Sequence, residues 1–429
     1  MRPMKAYLNI AKLRVNVALK RKSLSNYPVL AVIDPTLFCN LRCPNCPTGL
    51  RLGLRPPVAI SEELFRSIID EIGDYLLELW LYNWGEPLLH KQTPELIKYA
   101  KQKEMKVIIH TNLSMRLTDE YVESLVKSGL DELVVSLDGA TEETYSRYRR
   151  GGDISLVREN MMRIQSAKRA AAIQTPTVFW KFLVWRHNEH EVEMARSCHR
   201  AWGADSFVCG AGFMPPAPHN DGLLEPSTLA EFVPISPPVQ DVRKRRGGHN
   251  HPCLWLYGAL TLNANGSVSP CCGVWDEGDD FAQYSSRGDF FYAWNSDKFK
   301  KARSLFQEER KGNNADAHHG KGRTIAPERP DNLPWYLHSA NDNRVYCQRC
   351  ELHRFMPWFA AYPETVIHQA FYQDVLRFKT NKGPKEFRSL ILWLTLGGFL
   401  FSRYFWRGVL HSIVWWKQER RKQVLPQTW

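Results

Sequence analysis

The 429-residue chain predicts an α/β fold: a partial (βα)6 TIM-like barrel, a smaller C-terminal cysteine-rich α+β domain and a C-terminal amphipathic apolar helix. Three observations carry that expectation. Between residues 29 and 210 short β-rich runs alternate with amphipathic helical patterns, which implies parallel strands joined by covering helices. From 211 to 252 the composition turns proline-rich and then basic, as a linker would. The ten cysteines gather in tight groups instead of spreading as a disulfide framework.

The first 28 residues are a basic segment. Its apolar stretch at 6–17 is broken by Lys12 and Arg14, so it is not a signal-peptide core, and clustered thiols then favour a reducing cytoplasm. Strands are expected at 29–34, 78–82, 107–110, 132–137, 178–184 and 206–209. A helix is expected over 61–74, where Phe65, Ile68, Ile69 and Ile72 recur on one face behind Ser61 as N-cap. A second spans 118–128, with Val122, Leu125 and Val126 on one face and Gly129 as its stop. Functional residues of such an array collect at the C-terminal ends of the strands. CNLRCPNC (39–46) follows the first strand, WGEP (84–87) the second, Thr111 and Asn112 the third, and SLDG (136–139) ends the fourth, so all four share one rim.

Beyond the linker, 253–360 reads as a compact unit in which LTLNANGSVSPCC forms two short strands about a turn at 263–266. His318 and His319 fall in a polar, turn-rich stretch and read as solvated loop residues. The tail, 361–429, holds an apolar and aromatic segment at 389–416 interrupted by Arg403, Arg407 and His411. Its longest uninterrupted part, 389–402, is shorter than the roughly 18 to 20 residues that span a bilayer. It fits a helix lying in the membrane interface, with a helix docked on the protein itself or on a dimer partner as the alternative.

Charge divides unevenly. Residues 1–22 hold seven Lys or Arg and no acid, and 377–422 hold eleven against Glu386 and Glu419; of the total of +12, the body keeps −4. Basic ends on a slightly acidic body argue against a nucleic-acid groove and suit an anionic membrane surface.

The chemistry starts from the triplet Cys39, Cys43 and Cys46. A structural zinc site takes four protein ligands, usually as two pairs, and this triplet stands alone. Three thiolates can instead hold three irons of a cubane cluster and leave the fourth iron open to another ligand. C-x3-C-x2-C on the loop after the first strand of a βα array resembles the radical S-adenosylmethionine superfamily. The resemblance implies a 4Fe-4S cluster on Cys39, Cys43 and Cys46 whose open iron binds S-adenosylmethionine, and an electron that cleaves it to a 5′-deoxyadenosyl radical. It implies that Gly85, Glu86 and Pro87 receive the methionine amino group and that Asn112, Ser136 and Asp138 contact the ribose or carboxylate. In YRRGG (148–152), Arg150 is the arginine chosen to pair the methionine carboxylate, with Arg147 and Arg149 as the other choices. The chain departs from the family at Asn45, where a bulky or aromatic residue usually precedes the third cysteine and stacks near the adenine.

Cys253, Cys271, Cys347 and Cys350, with Gly266 five positions before Cys271, resemble a SPASM-type extension in its truncated, twitch form. That implies one auxiliary 4Fe-4S cluster held by four cysteines, with a zinc site as the alternative. Cys272 is a spare ligand or a small buried residue. A closed cluster suits an electron acceptor, so the expected activity is a radical SAM oxidoreductase that dehydrogenates an alcohol or similar C–H site. Epimerisation or peptide modification is the alternative within the class, and a non-catalytic zinc or iron–sulfur electron-transfer protein the alternative outside it. Cys209 is a candidate hydrogen-atom donor, as in radical epimerases, whereas Cys198 reads as structural. Phe182 and Trp185 are positional candidates for the substrate site. Expected partners are a small-molecule, sugar or lipid-headgroup substrate and an external flavodoxin- or ferredoxin-type donor, with no nucleic acid. The expected location is the cytoplasm, peripheral to the membrane.

Overall fold

The computed structural model describes residues 4–53, 55–212, 224–232 and 252–307, together with positions 347, 362, 363, 365–367, 369 and 370. Six parallel strands lie side by side in chain order: β1 (Leu30–Ile33), β2 (Glu78–Trp80), β3 (Lys106–Thr111), β4 (Glu132–Ser136), β5 (Thr177–Val184) and β6 (Ser206–Ala211). Each expected strand is present within a few residues of its expected bounds. The apolar runs are what hold them: every residue of β1 is buried, as is the central run of β4.

The free edge of β1 is taken by β7 (Ala259–Leu262), in parallel register from Leu30 opposite Ala259 to Ile33 opposite Leu262. β8 (Ser267–Ser269) and β9 (Ala282–Gln283) follow antiparallel, so the sheet runs β6-β5-β4-β3-β2-β1-β7-β8-β9. The expected turn between β7 and β8 is present, closed by Gly266 N–H donating to the Asn263 carbonyl at 2.8 Å, with Gly266 at φ +84°. The cysteine-rich segment, expected to start a separate domain, thus begins by extending the first sheet. Arg55 locks the two parts together: its guanidinium forms a two-pronged pair with Asp280, at 2.6 and 2.9 Å, and its Nε donates to the Trp275 carbonyl at 3.0 Å.

Helix starts follow the capping logic. The Ser61 hydroxyl accepts from Leu64 N–H at the head of α2 (Glu62–Ile72), whose Phe65, Ile68, Ile69 and Ile72 are fully buried. Thr118 does the same for Tyr121 N–H at the head of α4 (Asp119–Lys127), and Gly129 at φ +88° turns the chain out of it. Two further helices bear on the site: α5 (Glu142–Tyr148) and α7 (Val192–Cys198). The basic N-terminal segment is itself a helix, α1 (Met4–Ala18), seated by Ala6, Tyr7, Ile10 and Leu13 and by Asn9, which both donates to and accepts from the Tyr27 backbone.

β5 separates the two faces of the sheet. Its residues alternate between half-buried and buried, the period of two that sends successive side chains to opposite faces. Trp180 and Phe182 face the helices, where Trp180 stacks on Trp202 at 4.8 Å; burial of each such ring contributes about 2 to 3 kcal/mol. Lys181 faces the other way and pairs in register with Ser136 of β4. No helix among the described residues is long and apolar enough to cross a membrane. The apolar segment at 389–416, and with it the expected interfacial helix, lies outside the described residues.

Candidate cluster and cofactor site

The loop after β1 carries the three thiols into one pocket. Cys43 is buried in a group with Leu41, Tyr148, Trp185 and Leu224, and Cys39 and Cys46 pack against it half-buried. The loop is bent by backbone contacts. Cys46 N–H donates to the Cys43 carbonyl at 3.2 Å, and a Cβ at Gly49 would stand 2.6 Å from the Cys43 nitrogen and oxygen, so only glycine fits there. Arg42 N–H donates to the Arg150 carbonyl at 2.8 Å, tying the thiol loop to the YRRGG turn.

Side chains from the end of β3 and from the end of α5 reach two of these sulfurs. Asn112, after β3, directs its Nδ2 at Cys39 Sγ (3.8 Å) and donates to Asn40 Oδ1 (3.0 Å). Arg149, at the C-terminal end of α5, places a guanidinium nitrogen 3.8 Å from Cys43 Sγ while its Nε donates to Asp138 Oδ2 at 2.6 Å. Asp138 is fully buried after β4, and its other oxygen accepts from Leu183 N–H at 2.6 Å. Burial pushes the Cys39 thiol up to about 12 and the Cys43 thiol up to about 11, the latter opposed by the Arg149 charge. Buried thiols in that state become thiolates only beside a compensating positive charge.

Glu86 is the second focus. The preceding Gly85 lies so close to the thiol loop that a Cβ would fall 1.6 Å from the Thr36 carbonyl oxygen. Glu86 N–H donates to the Phe38 carbonyl at 2.7 Å, and its carboxylate, almost fully buried, accepts from Thr111 Oγ1 (2.6 Å), Asn112 N–H (2.7 Å) and Leu88 N–H (3.1 Å). Burial raises it to about 7 despite these donors. A carboxylate so fixed beside Cys39 is a ready acceptor for an ammonium group. Below it, Asp34 Oδ2 accepts from Trp84 N–H at 2.8 Å and Gly85 N–H at 3.4 Å; burial brings this acid to about 7 as well. Pro87 opens the short helical turn Pro87–Leu89, and Ser136 ends β4 half-buried. The rim motifs 39–46, 84–87, 111–112 and 136–139 therefore do come together.

Comparison with known families decides how this pocket is read. Residues 33–179 match the Radical SAM superfamily. The radical SAM region is also 31% identical over 127 residues to the AdoMet-dependent heme synthase of Methanosarcina barkeri, covering 30% of this chain and 36% of that protein. It is 27% identical over 177 residues to the mycofactocin maturase MftC of Mycobacterium ulcerans, covering 41% and 46%. The structure of Streptococcus suis SuiB bound to S-adenosylmethionine overlays with a TM-score of 0.47 at 17% identity, covering 71% of each chain. The chain thus spans less than half the length of these two curated relatives.

The radical SAM family implies a 4Fe-4S cluster with S-adenosylmethionine, and the residues fit it. The donor set is three free thiols, of which the Cys39 sulfur faces an amide N–H and the Cys43 sulfur a guanidinium. Among the described residues no three Cys, His, Asp or Glu converge closely enough to hold a single metal ion. Aromatic rings at the pocket come from Tyr148 and Trp185, 5.6 Å apart, and not from position 45. Trp185 was expected at the substrate site by position, but its pairing with Tyr148 has no sequence signal, because Tyr148 ends α5 and Trp185 follows β5.

Two candidates sit differently from what was expected of them. The guanidinium that reaches Asp138 and Cys43 is that of Arg149, the residue that follows α5. Cys209 does not face the rim: it pairs with Phe182 on the helix side of the sheet, and Arg196 of α7 donates to its sulfur at 3.6 Å. Phe182 lies on that same covered face, and Cys198 on α7 donates to a backbone carbonyl at 3.7 Å.

Of the second set, Cys253, Cys271 and Cys347 form no disulfide among the described residues, Cys271 being buried, and Cys350 lies outside the described residues. Cys272 is half-buried near Tyr82, and burial pushes its thiol up to about 12.

Proposed function

We propose that this chain is a radical S-adenosylmethionine oxidoreductase. The observation that carries the reading is the convergence on the Cys39, Cys43 and Cys46 loop of Glu86 and Asn112, from the ends of β2 and β3, and of Arg149, from the end of α5. A 4Fe-4S cluster held by Cys39, Cys43 and Cys46 would supply the single electron that cleaves S-adenosylmethionine and so starts hydrogen abstraction from substrate.

The chain's own residues do the rest. Glu86 accepts the methionine ammonium, held for it by Thr111 and the Asn112 backbone. Arg149, neutralised on one side by Asp138, offers its remaining N–H groups to the methionine carboxylate. Tyr148 and Trp185 supply an aromatic wall for the adenine in place of a residue at 45. Ser136, at the end of β4, contacts the ribose. Cys253, Cys271, Cys347 and Cys350 would hold an auxiliary 4Fe-4S cluster, which would supply an acceptor for the second electron of a dehydrogenation. An external flavodoxin or ferredoxin reduces the first cluster in the cytoplasm, with the basic ends drawing the enzyme to the membrane surface.

A second reading of the substrate is favoured by the relatives' own names, which include the mycofactocin maturase and a PqqA peptide cyclase of Granulibacter bethesdensis. On that reading the acceptor of the radical is a residue of a peptide.

The test is anaerobic reconstitution followed by iron and sulfide analysis and a chromatographic assay for 5′-deoxyadenosine after reduction. The reading expects about eight irons per chain and release of deoxyadenosine. Well-formed clusters without deoxyadenosine would falsify it.

A further inference from the structure

The face of the sheet turned away from the helices carries a row of polar side chains, of which the cofactor reading uses Ser136 alone. Tyr82 and His110 stack at 4.0 Å with their rings nearly parallel, forming a flat wall. His110 lies across from Val134, two residues before Ser136 on the same face of β4, and Ser136 lies across from Lys181. Tyr82, His110, Ser136 and Lys181 are all half-buried, whereas the alternate residues Ile109, Val135, Trp180 and Phe182 are fully covered.

Lys181 stands out in that row. Its ammonium has neither a hydrogen bond nor an ion pair with any described residue. The nearest charges acting on it are Asp138 and Arg149, and these two are already paired with each other at 2.6 Å, so neither neutralises it. Burial draws Lys181 down to about 8, which leaves it mostly charged at neutral pH. His110 on the same face is pushed well below the ordinary histidine range by burial and is neutral, so it does not compete for an anion. A half-buried, uncompensated ammonium is costly unless a ligand brings a negative charge to it.

We propose that Lys181 is the anion-binding residue of the substrate site, holding a carboxylate or phosphate group of the substrate beside Ser136 and against the Tyr82–His110 wall. The identity of the site as a substrate site rests on the radical SAM reading; the anion preference rests on the charge arrangement alone. The anion fixes one end of the substrate while Arg149 and Glu86, on the thiol side, hold the cofactor.

The experiment is anaerobic reductive methylation of the full chain with formaldehyde and a borane reductant, read residue by residue by mass spectrometry. Inorganic phosphate and acetate are added in separate arms, against chloride at constant ionic strength, and exposed Lys12 is the internal reference. Saturating anion should slow methylation of Lys181 about fivefold or more, since the reaction then follows the anion-free fraction, with Lys12 unchanged. Protection by phosphate alone assigns a phosphate-bearing substrate, and protection by acetate alone a carboxylate-bearing one. The same anion should raise the melting temperature of the wild type and not that of Lys181→Met. Methylation of Lys181 at one rate in all arms would overturn the proposal. So would a Lys181 that stays unmodified while Lys12 reacts fully, because a lysine facing open space must be reachable. Deoxyadenosine assayed on the same preparation keeps the two readings apart: its absence with protection intact strikes the radical chemistry and leaves the anion site standing.

Discussion

Cys43 and Cys209 are both free thiols beside an arginine, yet they sit in opposite settings. Cys43 lies on a loop beyond a strand end, where Arg149 reaches its sulfur and also pairs with a buried acid. Cys209 lies within β6 on the face covered by α7, and Arg196 merely spans it from the helix surface. The difference teaches that position along a strand is not enough: the two-residue period decides whether a side chain meets substrate or helix. A thiol in the loop is free of that parity, and the loop is where the chain places its cluster ligands.

The sharpest way to break this comparison is to exchange the two fates. Cys43→Ala should lower deoxyadenosine formation about a thousandfold or more, the scale of losing one member of a unit that works together, with iron falling by about half as one of two clusters is lost. Retained activity in that variant would mean the loop is not the reactive site. Next in size is the packing of the loop. Gly85→Ala forces a Cβ into the Thr36 carbonyl, and urea unfolding should show a loss of about 3 kcal/mol or more; a loss under 1 kcal/mol would show that β1 and the WGEP segment are not held in contact.

Glu86→Gln keeps the shape and removes the charge. The apparent affinity for S-adenosylmethionine should fall roughly tenfold to a hundredfold, the worth of a charge-assisted hydrogen bond, as measured by equilibrium dialysis. A smaller effect is expected from Asp34. Its folded pKa is raised from 3.8 to about 7, so the folded chain keeps a proton that the unfolded chain has already lost. That contribution is present below pH 4 and is lost as pH rises through about 7, and Glu86 adds a slope of the same sign. Asp34→Asn should flatten its share of the decline between pH 5 and 8 in urea titrations; an unchanged slope would assign the dependence elsewhere. Smallest of all is Cys209→Ser, which should leave deoxyadenosine formation within about threefold, as for a substitution away from the reacting groups. A thousandfold loss of product with cleavage intact would restore it as a hydrogen donor.

Much of the architecture was legible because local signals agree with the final fold. Alternating strands and helices, the Ser61 and Thr118 caps and the turn ending at Gly266 each read correctly from a few neighbouring residues. The rim was legible for the same reason, since strand ends follow from strand positions. What failed was long-range. Nothing in the run 259–262 says that it will pair with β1, and that pairing makes the described start of the expected second unit continue the sheet. Cys209 was misplaced because the lateral register between β5 and β6, which sets its face, has no local signature. Arg149 and Arg150 differ by one residue at a helix end, where sequence-based boundaries are least certain. Lys181 has no local signature either; its setting follows only from the register that puts Ser136 and His110 on its face.

The central claim is that Cys39, Cys43 and Cys46 hold a cluster with an iron open to S-adenosylmethionine, and low-temperature electron paramagnetic resonance tests it most directly. In dithionite-reduced wild type, adding S-adenosylmethionine should shift the signal of one cluster, and Cys43→Ala should lack the shifting component. A spectrum that S-adenosylmethionine leaves unchanged in the wild type would contradict the account.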